Sequence, residues 1–505
     1  MGSTRKVVTV AQLAEALAPL RAAGKRVVQC HGCFDLLHIG HIRYLQKAAR
    51  LGDVLIVTVT PDRFVNKGPH RPAFPEALRA EALAALDCVD YVAINEWPTA
   101  VEGLAALRPH VYAKGAEFRD NRTPEIVREE AALAELGGEI AYIEDLTSSS
   151  SRLINEHLSP FPEEVDRYLA DLAERYGAGE ILGWVEEAQP LQALVVGETI
   201  IEEYHYCQTL QRSSHAPVLA ARYLSHERFP GGAANVANHL AGLCGRVDLV
   251  SLVGNEPSEE AWLRSQLRDN VSPILVPRTD SPTITRRQYR ETYFSQPLLE
   301  YYLLNDEPLS GEEDGRLCQL LAEVVPGYDL VVVADYGHRM LTEGAIGALC
   351  GGARHLTVNL QVDAANLGYL TVERYPHADY VTLAEQELRL ECRSRSEDLG
   401  PLIVEVADQV GAPLAVAMRG GHGCLGYGRG EGLHEAPALA TKVVDRSGAT
   451  DAFLAITALC AFQRAPLEVL CFLGNVAGAE AVATVGNREP ISRLPLRRHV
   501  EALFK

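Results

Sequence analysis

The sequence predicts an α/β protein with two domains, each built on a parallel sheet that helices cover. The chain has 505 residues, of which 47% are hydrophobic and 23% charged, so it is long enough for more than one core. Short runs rich in β-branched residues alternate with helical stretches along most of its length. A proline-marked stretch, LSPFPEE, separates two such series.

The first series runs from Val8 to about His157 and predicts a domain over residues 1–157. The stretch AQLAEALAPLRAAG predicts a helix, and the strand-like runs after it are RVVQC, DVLIVTVT, DYVAI, HVYAKG and EIAYIED. Strands that alternate with helices form parallel sheets with helices on both faces. A charged amphipathic stretch over 158–190 predicts a helical linker.

The second series predicts another α/β domain over residues 191–505. Its apolar strands end in small or polar residues, as in DLVSLVGNE, DLVVVADYG, HLTVNLQ, DYVTLAEQE, PLAVAMRGG and TKVVDRSGATD. In an open parallel sheet, ligand-binding groups come from the carboxyl ends of the strands. We therefore expect functional side chains at these ends.

Charge and composition exclude several classes of partner. The formal net charge of −20 argues against nucleic acid or an anionic membrane, because both repel an acidic protein. No apolar run is long enough to span a bilayer, and the N-terminus lacks the apolar core of a secretory signal. The eleven scattered cysteines predict free thiols in a reducing cytoplasm. The CxxC spacing of Cys30 and Cys33 has no second pair and does not predict zinc.

Two histidines, His38 and His41, flank Gly40 where the strand RVVQC gives way to the helical stretch LLHIGHIRYLQKAARLG. The motif therefore lies at a helix N-terminus, where free N–H groups and the helix dipole favour anions. Residues at i and i+3 share one side of the first turn, and the glycine lets a phosphate approach the backbone. We interpret the pair as a phosphate-binding site rather than as zinc ligands or core residues.

The segment HGCFDLLHIGHIRYL resembles the signature of the HxGH nucleotidyltransferases. This family includes glycerol-phosphate cytidylyltransferases and the adenylyltransferase part of bifunctional ADP-heptose synthases. Three further segments resemble family motifs in the same order: NKGPHRPAFPEALRAEAL, VYAKGAEFRD and SSSSRLI. The resemblance implies a Rossmann-like domain that transfers a nucleotidyl group, with Mg²⁺ accompanying ATP or CTP.

By this resemblance, His38 and His41 contact the nucleotide phosphates and stabilise charge at the α-phosphorus. Lys67 meets the triphosphate or the incoming phosphate. The other nucleotide- or phosphate-binding positions that it implies are Phe34, Asp35, Gly40, Arg79, Lys114, Ser149, Ser150 and Ser151. A sugar phosphate is already an anionic nucleophile, so the chemistry needs stabilisation of charge more than a strong base.

A second candidate site lies near the C-terminus, where VVDRSGATDAFLAITALCAF places Gly448 and Asp451 at a helix N-terminus. Free N–H groups there can stabilise a transferring phosphoryl group, and the aspartate can take the proton of an attacking hydroxyl. Together with FPGGAANVANHLAGLCGRVDLVSLVGNE, LVVGETIIEEY, PTITRR, VVVADYG and DYVTLAEQE, this segment resembles the ribokinase-like PfkB sugar kinases. The resemblance covers essentially all of the second half and implies a ribokinase-like fold.

By this second resemblance, Asp451 is the general base of a sugar kinase. It also implies an anion hole at Gly448, Ala449 and Thr450, sugar contacts at Glu198, Gly231, Gly232, Asn235 and Asp335, nucleotide contacts at Arg419 and Gly423, and an indirect Mg²⁺ contact at Glu387.

Several residues depart from the kinase pattern. Thr450 replaces a glycine of the GAGD motif, and Ala384 replaces the asparagine of the NxxE motif. Asn359 and Gln361 stand where a DPK-like strand end supplies a carboxylate and a cation. Further departures are Glu198, Glu202 and Glu203. Two interpretations stay open: an active sugar kinase, or a kinase-like domain used for binding or dimerisation.

The sequence thus predicts a cytoplasmic, homodimeric, bifunctional enzyme of sugar-nucleotide synthesis. One half phosphorylates a sugar or sugar phosphate, and the other transfers a nucleotidyl group from ATP or CTP to a sugar 1-phosphate, by resemblance a heptose, with release of pyrophosphate. A cytidylyltransferase for an alditol phosphate is the alternative. The ADP-heptose synthases place the kinase first and rely on a separate phosphatase, whereas the transferase-like part leads here.

Overall fold

The structure is a computed structural model, and it describes most of the chain in two compact units, Met1–Pro160 and Phe161–Phe504. The described residues are 6–65, 72–116, 119, 124–143, 160–213, 215–279, 281–292, 296–363, 366–367 and 369–504. Both units are α/β, as the sequence predicts. None of the helices in the described parts has the length and apolar character that crossing a bilayer requires.

The first unit alternates helices and strands. Its elements are α1 (Val10–Ala22), β1 (Val27–Gly32), α2 (Ile39–Ala49), β2 (Val54–Val59), α3 (Glu76–Ala84), β3 (Tyr91–Ile94), α4 (Val101–Leu107), β4 (Val111–Gly115), α5 (Pro124–Glu135) and β5 (Glu139–Ile143). The strands form a parallel sheet in the order β3-β2-β1-β4-β5.

Both faces of this sheet are buried, because its strands alternate apolar side chains between two core layers. Val28 and Leu55 pack in one layer, and Val27 and Ile56 pack in the other. The chain runs outward from β1 in both directions, so the strand order reverses beside the carboxyl end of β1. Such a reversal leaves a crevice at the strand ends, where ligands bind in open α/β sheets.

The second unit begins with two helices and continues as a larger α/β fold. Its first elements are α6 (Glu163–Arg175), α7 (Ala178–Glu186), β6 (Gln192–Gly197), β7 (Thr199–Arg212), β8 (Leu219–Gly232), α8 (Ala233–Ala241), β9 (Arg246–Gly254), α9 (Glu260–Gln266), β10 (Val271–Arg278), β11 (Thr285–Glu291) and β12 (Pro297–Leu303). It continues with α10 (Gly311–Val324), β13 (Leu330–Asp335), α11 (Glu343–Gly352), β14 (Leu356–Leu360), β15 (Tyr380–Ala384), α12 (Glu385–Glu391), α13 (Leu399–Gln409), β16 (Leu414–Met418), β17 (Cys424–Gly428), β18 (Gly432–Ala436), α14 (Ala449–Gln463), α15 (Leu467–Val482) and α16 (Arg493–Leu503).

Two sheets organise this unit. The main sheet has the order β10-β9-β6-β13-β14-β15-β16-β17-β18; it is parallel up to β16, and β17 and β18 run antiparallel. A small sheet, β12-β11-β7-β8, leaves the main sheet where β7 follows β6. In the small sheet Glu202 lies beside Arg286, and Glu203 lies beside Arg287.

The segment predicted as a helical linker over 158–190 contains two helices that belong to the second unit. Leu172 of α6 and Ile181 of α7 are fully buried, and they share one core with Leu459 of α14 and Leu470 of α15. The amphipathic pattern arises because one face of each helix packs on this core. The predicted helical linker therefore forms part of the second compact unit.

Leu172→Ala should destabilise the second unit by about 2–5 kcal/mol, because it leaves a cavity in a close-packed core. Native-state hydrogen exchange of the full chain measures this as faster exchange of amides in α14 and α15. The control is Arg167→Ala on the same helix, whose side chain is 70% exposed. A linker role would leave both variants within about 0.5 kcal/mol of wild type.

Candidate functional sites

The HxGH motif forms the turn between β1 and α2, at the crevice of the first sheet. His38 is the N-cap of α2, and its Nδ1 atom accepts a hydrogen bond of 3.1 Å from the backbone N–H of Gly40. The His38 and His41 ring centroids lie 4.1 Å apart. The structure thus brings the two predicted histidines together at the helix N-terminus.

The hydrogen bond that caps α2 determines which ring nitrogen of His38 carries the proton. Burial lowers the pKa of His38, which favours the neutral ring. Because Nδ1 accepts from Gly40, the ring proton resides on Nε2, which is then a donor. Within the described residues this buried Nε2 has no hydrogen-bond partner. An anion at the start of α2 would therefore meet the His38 donor and the first N–H groups of the helix.

Phe34 and Asp35 support this turn through protein contacts. Phe34 has a positive φ of 49° and packs edge-on against His41, with ring centroids 5.5 Å apart. The buried Asp35 carboxylate accepts hydrogen bonds from the backbone N–H groups of Ala73 (2.6 Å) and Phe74 (3.2 Å). In this structure both residues contact the loop around the motif, and their predicted nucleotide contacts stay a prediction.

Arg79 is buried and makes its hydrogen bonds to the protein, and its predicted role in ligand binding stays a prediction. Its guanidinium is 2% exposed and donates to the carbonyl oxygens of Phe74, Cys33 and Thr60. It also pairs with Asp62 at 2.5 Å. These bonds connect α3 to the residues that follow β1 and β2, so Arg79 stabilises the backbone beside the HxGH motif.

Lys114, at the end of β4, lies in a buried ion pair. Its ammonium is 2.9 Å from the Glu129 carboxylate, which also accepts a hydrogen bond from Tyr112 Oη. Nearby, His31 lies between the hydroxyls of Thr58 and Thr60, and burial together with the Lys114 charge lowers its pKa to about 3. A neutral, hydrogen-bonded His31 therefore adds no charge to this crevice.

Four further predicted positions in this half, Lys67 and Ser149–Ser151, lie outside the described residues.

The second site centres on Asp451 in the first turn of α14. Its Oδ2 accepts a hydrogen bond of 2.8 Å from Asn235. Its Oδ1 accepts hydrogen bonds from Tyr336 Oη (3.0 Å) and the Gln361 amide (2.9 Å). Burial raises the pKa of Asp451, while the three donors oppose that shift. The carboxylate is thus held by residues from three other parts of the unit.

Gly448 begins this helix in a conformation that only glycine adopts readily. Its φ is 77°, and a Cβ atom there would lie 2.2 Å from Asn487 Oδ1. Ala449 and Thr450 follow as the first residues of α14, and Thr450 lines the cavity where the kinase pattern has glycine. The first N–H groups of a helix have no intrahelical acceptor, so those of α14 can donate hydrogen bonds to an anion in this cavity.

A cavity of about 300 Å³ joins Asp451 to the small sheet. Its walls come from two sides: the small sheet on one, and the α14 start with the strand-end loops on the other. The polar and charged side chains of the lining include Glu202, Arg286, Gln288, Tyr302, Tyr336, Gln361, Asp363, Arg446, Thr450 and Asp451. A space of this size fits a small polar ligand.

The glycines at the start of α8 allow close backbone approach. A Cβ on Gly231 would lie 2.9 Å from the Ile200 carbonyl oxygen, and one on Gly232 would lie 2.3 Å from that of Glu198. Gly232 also lines the cavity. Asn235 Nδ2 is used on Asp451, while its buried Oδ1 has no partner among the described residues.

Glu198 and Asp335 do not line this cavity, and their predicted sugar contacts stay a prediction. The Glu198 carboxylate accepts hydrogen bonds from the N–H groups of Tyr336 (3.0 Å), His338 (3.1 Å) and Met340 (3.3 Å). Burial and the neighbouring Asp335 raise the pKa of Glu198 to about 7. Asp335 accepts from Tyr375 Oη at 2.7 Å and pairs with Arg374 at 3.2 Å. The hydrogen bonds of both carboxylates hold the loop that carries Tyr336 in place.

The residues predicted near nucleotide and metal also have protein partners. Glu387 accepts hydrogen bonds from the N–H groups of Val362 and Ala384, so it caps α12 and steadies the loop after β14. Arg419 pairs with Glu435 at 3.2 Å. Gly423, with φ of 83°, lets the backbone approach the Ala436 carbonyl, from which a Cβ would be 2.0 Å away.

Sequence reasoning missed Tyr336, Arg286 and Arg446 as cavity residues, and it interpreted Gln361 only as a loss. Each lies at or beside a strand end or motif that the sequence did mark: VVVADYG, PTITRR, VVDRSGATD and HLTVNLQ. The position relative to the strand end was therefore the available signal. Gln361 donates to Asp451 in place of the expected cation.

Comparison with known proteins agrees with this two-unit arrangement. Residues 30–156 match the family model Cytidylyltransferase-like, and residues 191–493 match the model pfkB family carbohydrate kinase. The second match spans more than half of the 505 residues, so this chain belongs to the pfkB family of carbohydrate kinases. A cytidylyltransferase-like domain precedes the kinase-family domain in the same chain.

The chain is also similar to proteins named bifunctional protein HldE. It is 44% identical to that of Pelobacter propionicus over 140 residues, which are 27% of this chain and 28% of the relative. It is 41% identical to that of Trichlorobacter lovleyi over 155 residues, 30% of this chain and 31% of the relative. The aligned part is thus less than a third of either relative.

Among solved structures, the fold is similar to the tetrameric inhibited form of phosphofructokinase-2 from Escherichia coli. The TM-score is 0.51 at 17% identity, over 62% of this chain and 100% of the other. The structure in complex with potassium gives the same TM-score at 18% identity, over 63% of this chain and 100% of the other. These likenesses concern the fold.

Arg79→Ala should destabilise the first unit by about 3–5 kcal/mol, because it leaves buried acceptors and a carboxylate without their donor. Hydrogen exchange of the β1 and β2 amides in the full chain measures the loss. Arg63→Ala, a change at an exposed arginine nearby, is the control. If Arg79 served only to bind ligand, exchange would be unchanged in both variants.

Proposed function

We propose that this protein is a bifunctional enzyme of sugar-nucleotide biosynthesis. The kinase-family half transfers the γ-phosphoryl group of ATP to a sugar, and the cytidylyltransferase-like half joins a nucleotidyl group to the sugar 1-phosphate. The observation that carries the proposal is the Asp451 carboxylate, held by three donors at a helix N-terminus inside a cavity. The preorganised His38 donor supports the second activity.

In the kinase reaction, Asp451 accepts the proton of the sugar hydroxyl as its oxygen attacks the γ-phosphorus. Asn235, Tyr336 and Gln361 fix the carboxylate, so its approach needs no reorganisation. The free N–H groups at Gly448–Thr450 stabilise the negative charge of the group in transfer. The departures at Gln361 and Thr450 thus leave the base and the anion donors in place.

In the transferase reaction, an oxygen of the sugar 1-phosphate attacks the α-phosphorus and pyrophosphate leaves. No side chain has to remove a proton, because the nucleophile is already anionic. The His38 Nε2–H and the start of α2 stabilise the charge that develops at phosphorus. His41 lies beside His38, with Phe34 packed against its ring, so its orientation is fixed.

The described residues do not fit a resident Mg²⁺ site. They include no group of three His, Cys, Asp or Glu side chains that could hold a metal ion. Each Glu387 oxygen accepts one backbone hydrogen bond and keeps a second lone pair, so the predicted indirect contact with Mg²⁺ stays a prediction. We therefore propose that Mg²⁺ enters as the counter-ion of the nucleotide substrate.

The relatives named HldE support a heptose as the sugar and ATP as the nucleotide donor, through the resemblance of the first half to ADP-heptose synthases. We propose that the domain order here is the reverse of the order in those synthases. A cytidylyltransferase for an alditol phosphate is the second candidate for the first half, favoured by its family model. Pyrophosphate release with ATP and CTP on a heptose 1-phosphate and glycerol 3-phosphate separates the two.

We propose a cytoplasmic homodimer. The eleven cysteines are all free thiols, which suits a reducing compartment. The small sheet carries exposed apolar side chains, among them Leu210, Leu219, Leu224 and Leu299, which a second copy could cover. Sedimentation of the full chain tests the dimer.

His38→Ala should slow pyrophosphate release about 10²–10³-fold, because it removes a preorganised donor. Its ADP formation should be unchanged. Asp451→Asn should show the opposite pattern, losing ADP formation while keeping pyrophosphate release from an added sugar 1-phosphate. Parallel assays of the two products on both full-length variants measure this. Loss of both products in either variant, with the fold intact, would contradict two separate sites.

Gln361→Leu should move the acid limb of the kinase pH profile to higher pH. The base must be ionised, and burial already raises the pKa of Asp451, so activity falls as pH drops through that pKa. Removing one donor to the carboxylate raises the pKa further. The measurement is kcat/KM for ADP formation against pH, with the transferase profile of the same variant as control. A shift to lower pH, or none, would contradict the role of Asp451.

A further inference from the structure

The wall of the cavity that the small sheet forms carries two charged side chains, and they are paired with each other. Arg286 Nε donates to the Glu202 carboxylate at 2.8 Å, and both residues line the cavity on neighbouring strands of the small sheet. The Glu202 side chain is 7% exposed and that of Arg286 is 26% exposed. The pair therefore contributes no net positive charge to this wall.

The polar neighbours of this pair are tied to another carboxylate. The Gln288 amide donates to Glu300 at 2.6 Å, and Tyr302 Oη donates to the same side chain at 2.7 Å. Asp363 also lines the cavity, where it pairs with His338 at 3.0 Å, whereas Glu300 has no ion pair among the described residues, so this wall carries an excess of negative charge. A phosphate group on the sugar would be repelled there, whereas hydroxyls would find donors and acceptors.

Three further arginines of the small sheet are paired with acids away from this wall, and the remaining two, Arg212 and Arg222, do not line the cavity. Arg287 and Arg228 pair with Glu203, which does not line the cavity, and Arg290 pairs with Asp445 at 2.7 Å. A lysine does not supply the positive charge that a sugar phosphate would need, since the single lysine between residues 161 and 504 is Lys442, which does not line the cavity. The positions of this unit that lie outside the described residues, from 161 to 504, include no lysine or arginine.

Arg446 is the cavity cation without an ion pair or hydrogen bond among the described residues. It lies on the opposite wall, two residues before the Gly448 cap of α14. The flanking turn is fixed, because Asp445 accepts from the N–H groups of Ser447 and Gly486. This position suits the phosphoryl group of the nucleotide rather than a distal phosphate on the sugar.

From this charge arrangement we infer that the kinase half takes an uncharged sugar, not a sugar phosphate, as its acceptor. The inference rests on the proposed kinase function and narrows it. An oxygen–phosphorus bond forms at the sugar, the bond from the γ-phosphorus to the β-bridging oxygen of ATP breaks, and the hydroxyl proton passes to Asp451. If that hydroxyl is the anomeric one, the sugar 1-phosphate can enter the transferase reaction with no dephosphorylation between the two steps.

The test compares matched pairs of acceptors on the full-length protein: heptose and heptose 7-phosphate, mannose and mannose 6-phosphate, and ribose and ribose 5-phosphate. ADP formation gives kcat/KM for each, and calorimetry with Asp451→Asn gives binding without turnover. For each free sugar that is accepted, we expect kcat/KM and affinity to exceed those of its phosphate by about tenfold or more, because the phosphate brings like charges together. A preference for the phosphates in either measurement, or binding of neither class, would overturn the inference.

Glu202→Gln identifies the cause of the preference. It removes the partner of Arg286 and one negative charge, so the ratio of free sugar to phosphate should fall about tenfold. Glu203→Gln is the matched control, because it makes the same change on the next residue of β7, outside the cavity, and should keep the wild-type ratio. Equal ratios in wild type and Glu202→Gln would overturn the inference.

Arg446→Gln tests whether Arg446 binds the nucleotide or a phosphate group on the sugar. It should lower kcat for free sugars and phosphates by the same factor, because the nucleotide is common to both reactions. A selective loss with the phosphates would place their phosphate at Arg446 and contradict the inference. If binding follows the predicted preference while ADP is never formed, the kinase function fails and the acceptor class stands.

Discussion

The buried carboxylate of Asp451 is the interaction on which the second unit depends. It joins the start of α14 to α8 through Asn235, to the loop after β13 through Tyr336, and to the loop after β14 through Gln361. A charge at 5% exposure would be costly without donors, and these three supply them. The same hydrogen bonds that make burial of this carboxylate tolerable also fix the direction of the proposed general base. Stability and chemistry therefore place the same demand on these residues.

Acids around this centre divide into two groups by what they contact. Glu198, Asp335 and Glu387 accept backbone or side-chain donors of neighbouring loops and shape the cavity from behind. Asp451 and Glu202 reach the cavity itself. The first unit shows a similar division, since Arg79 and Asp35 hold loops while His38 keeps a donor available. In both units, buried charges with protein partners hold the backbone around the side chains that we propose to contact ligand.

The sequence predicted the elements that carry the sites but not the partners of each side chain. Apolar runs ending in polar residues located β1, β13, β14 and the starts of α2 and α14, because parallel strands present their carboxyl ends together. It could not show that Glu198 turns toward three backbone N–H groups, or that Arg79 meets three carbonyls. Those contacts join residues far apart in sequence, and their pairing depends on packing.

The helical segment after residue 160 illustrates the same limit. Its amphipathic pattern predicts a helix with one apolar face, and α6 and α7 have such a face. The pattern does not say which surface the face packs on, so a linker and a core helix share one signature. Gln361 is a further case. In the sequence it replaces the cation of the family motif, and in the structure its amide donates a hydrogen bond to Asp451.

We propose that two sites on one chain act in sequence on an uncharged sugar. The most direct measurement follows ADP, sugar 1-phosphate and pyrophosphate with time in one reaction of the full-length protein, ATP, CTP, Mg²⁺ and free heptose. The account predicts that ADP appears first and pyrophosphate follows after a lag, with no phosphatase present. Pyrophosphate that appears only when a phosphatase and heptose 7-phosphate are supplied would contradict it.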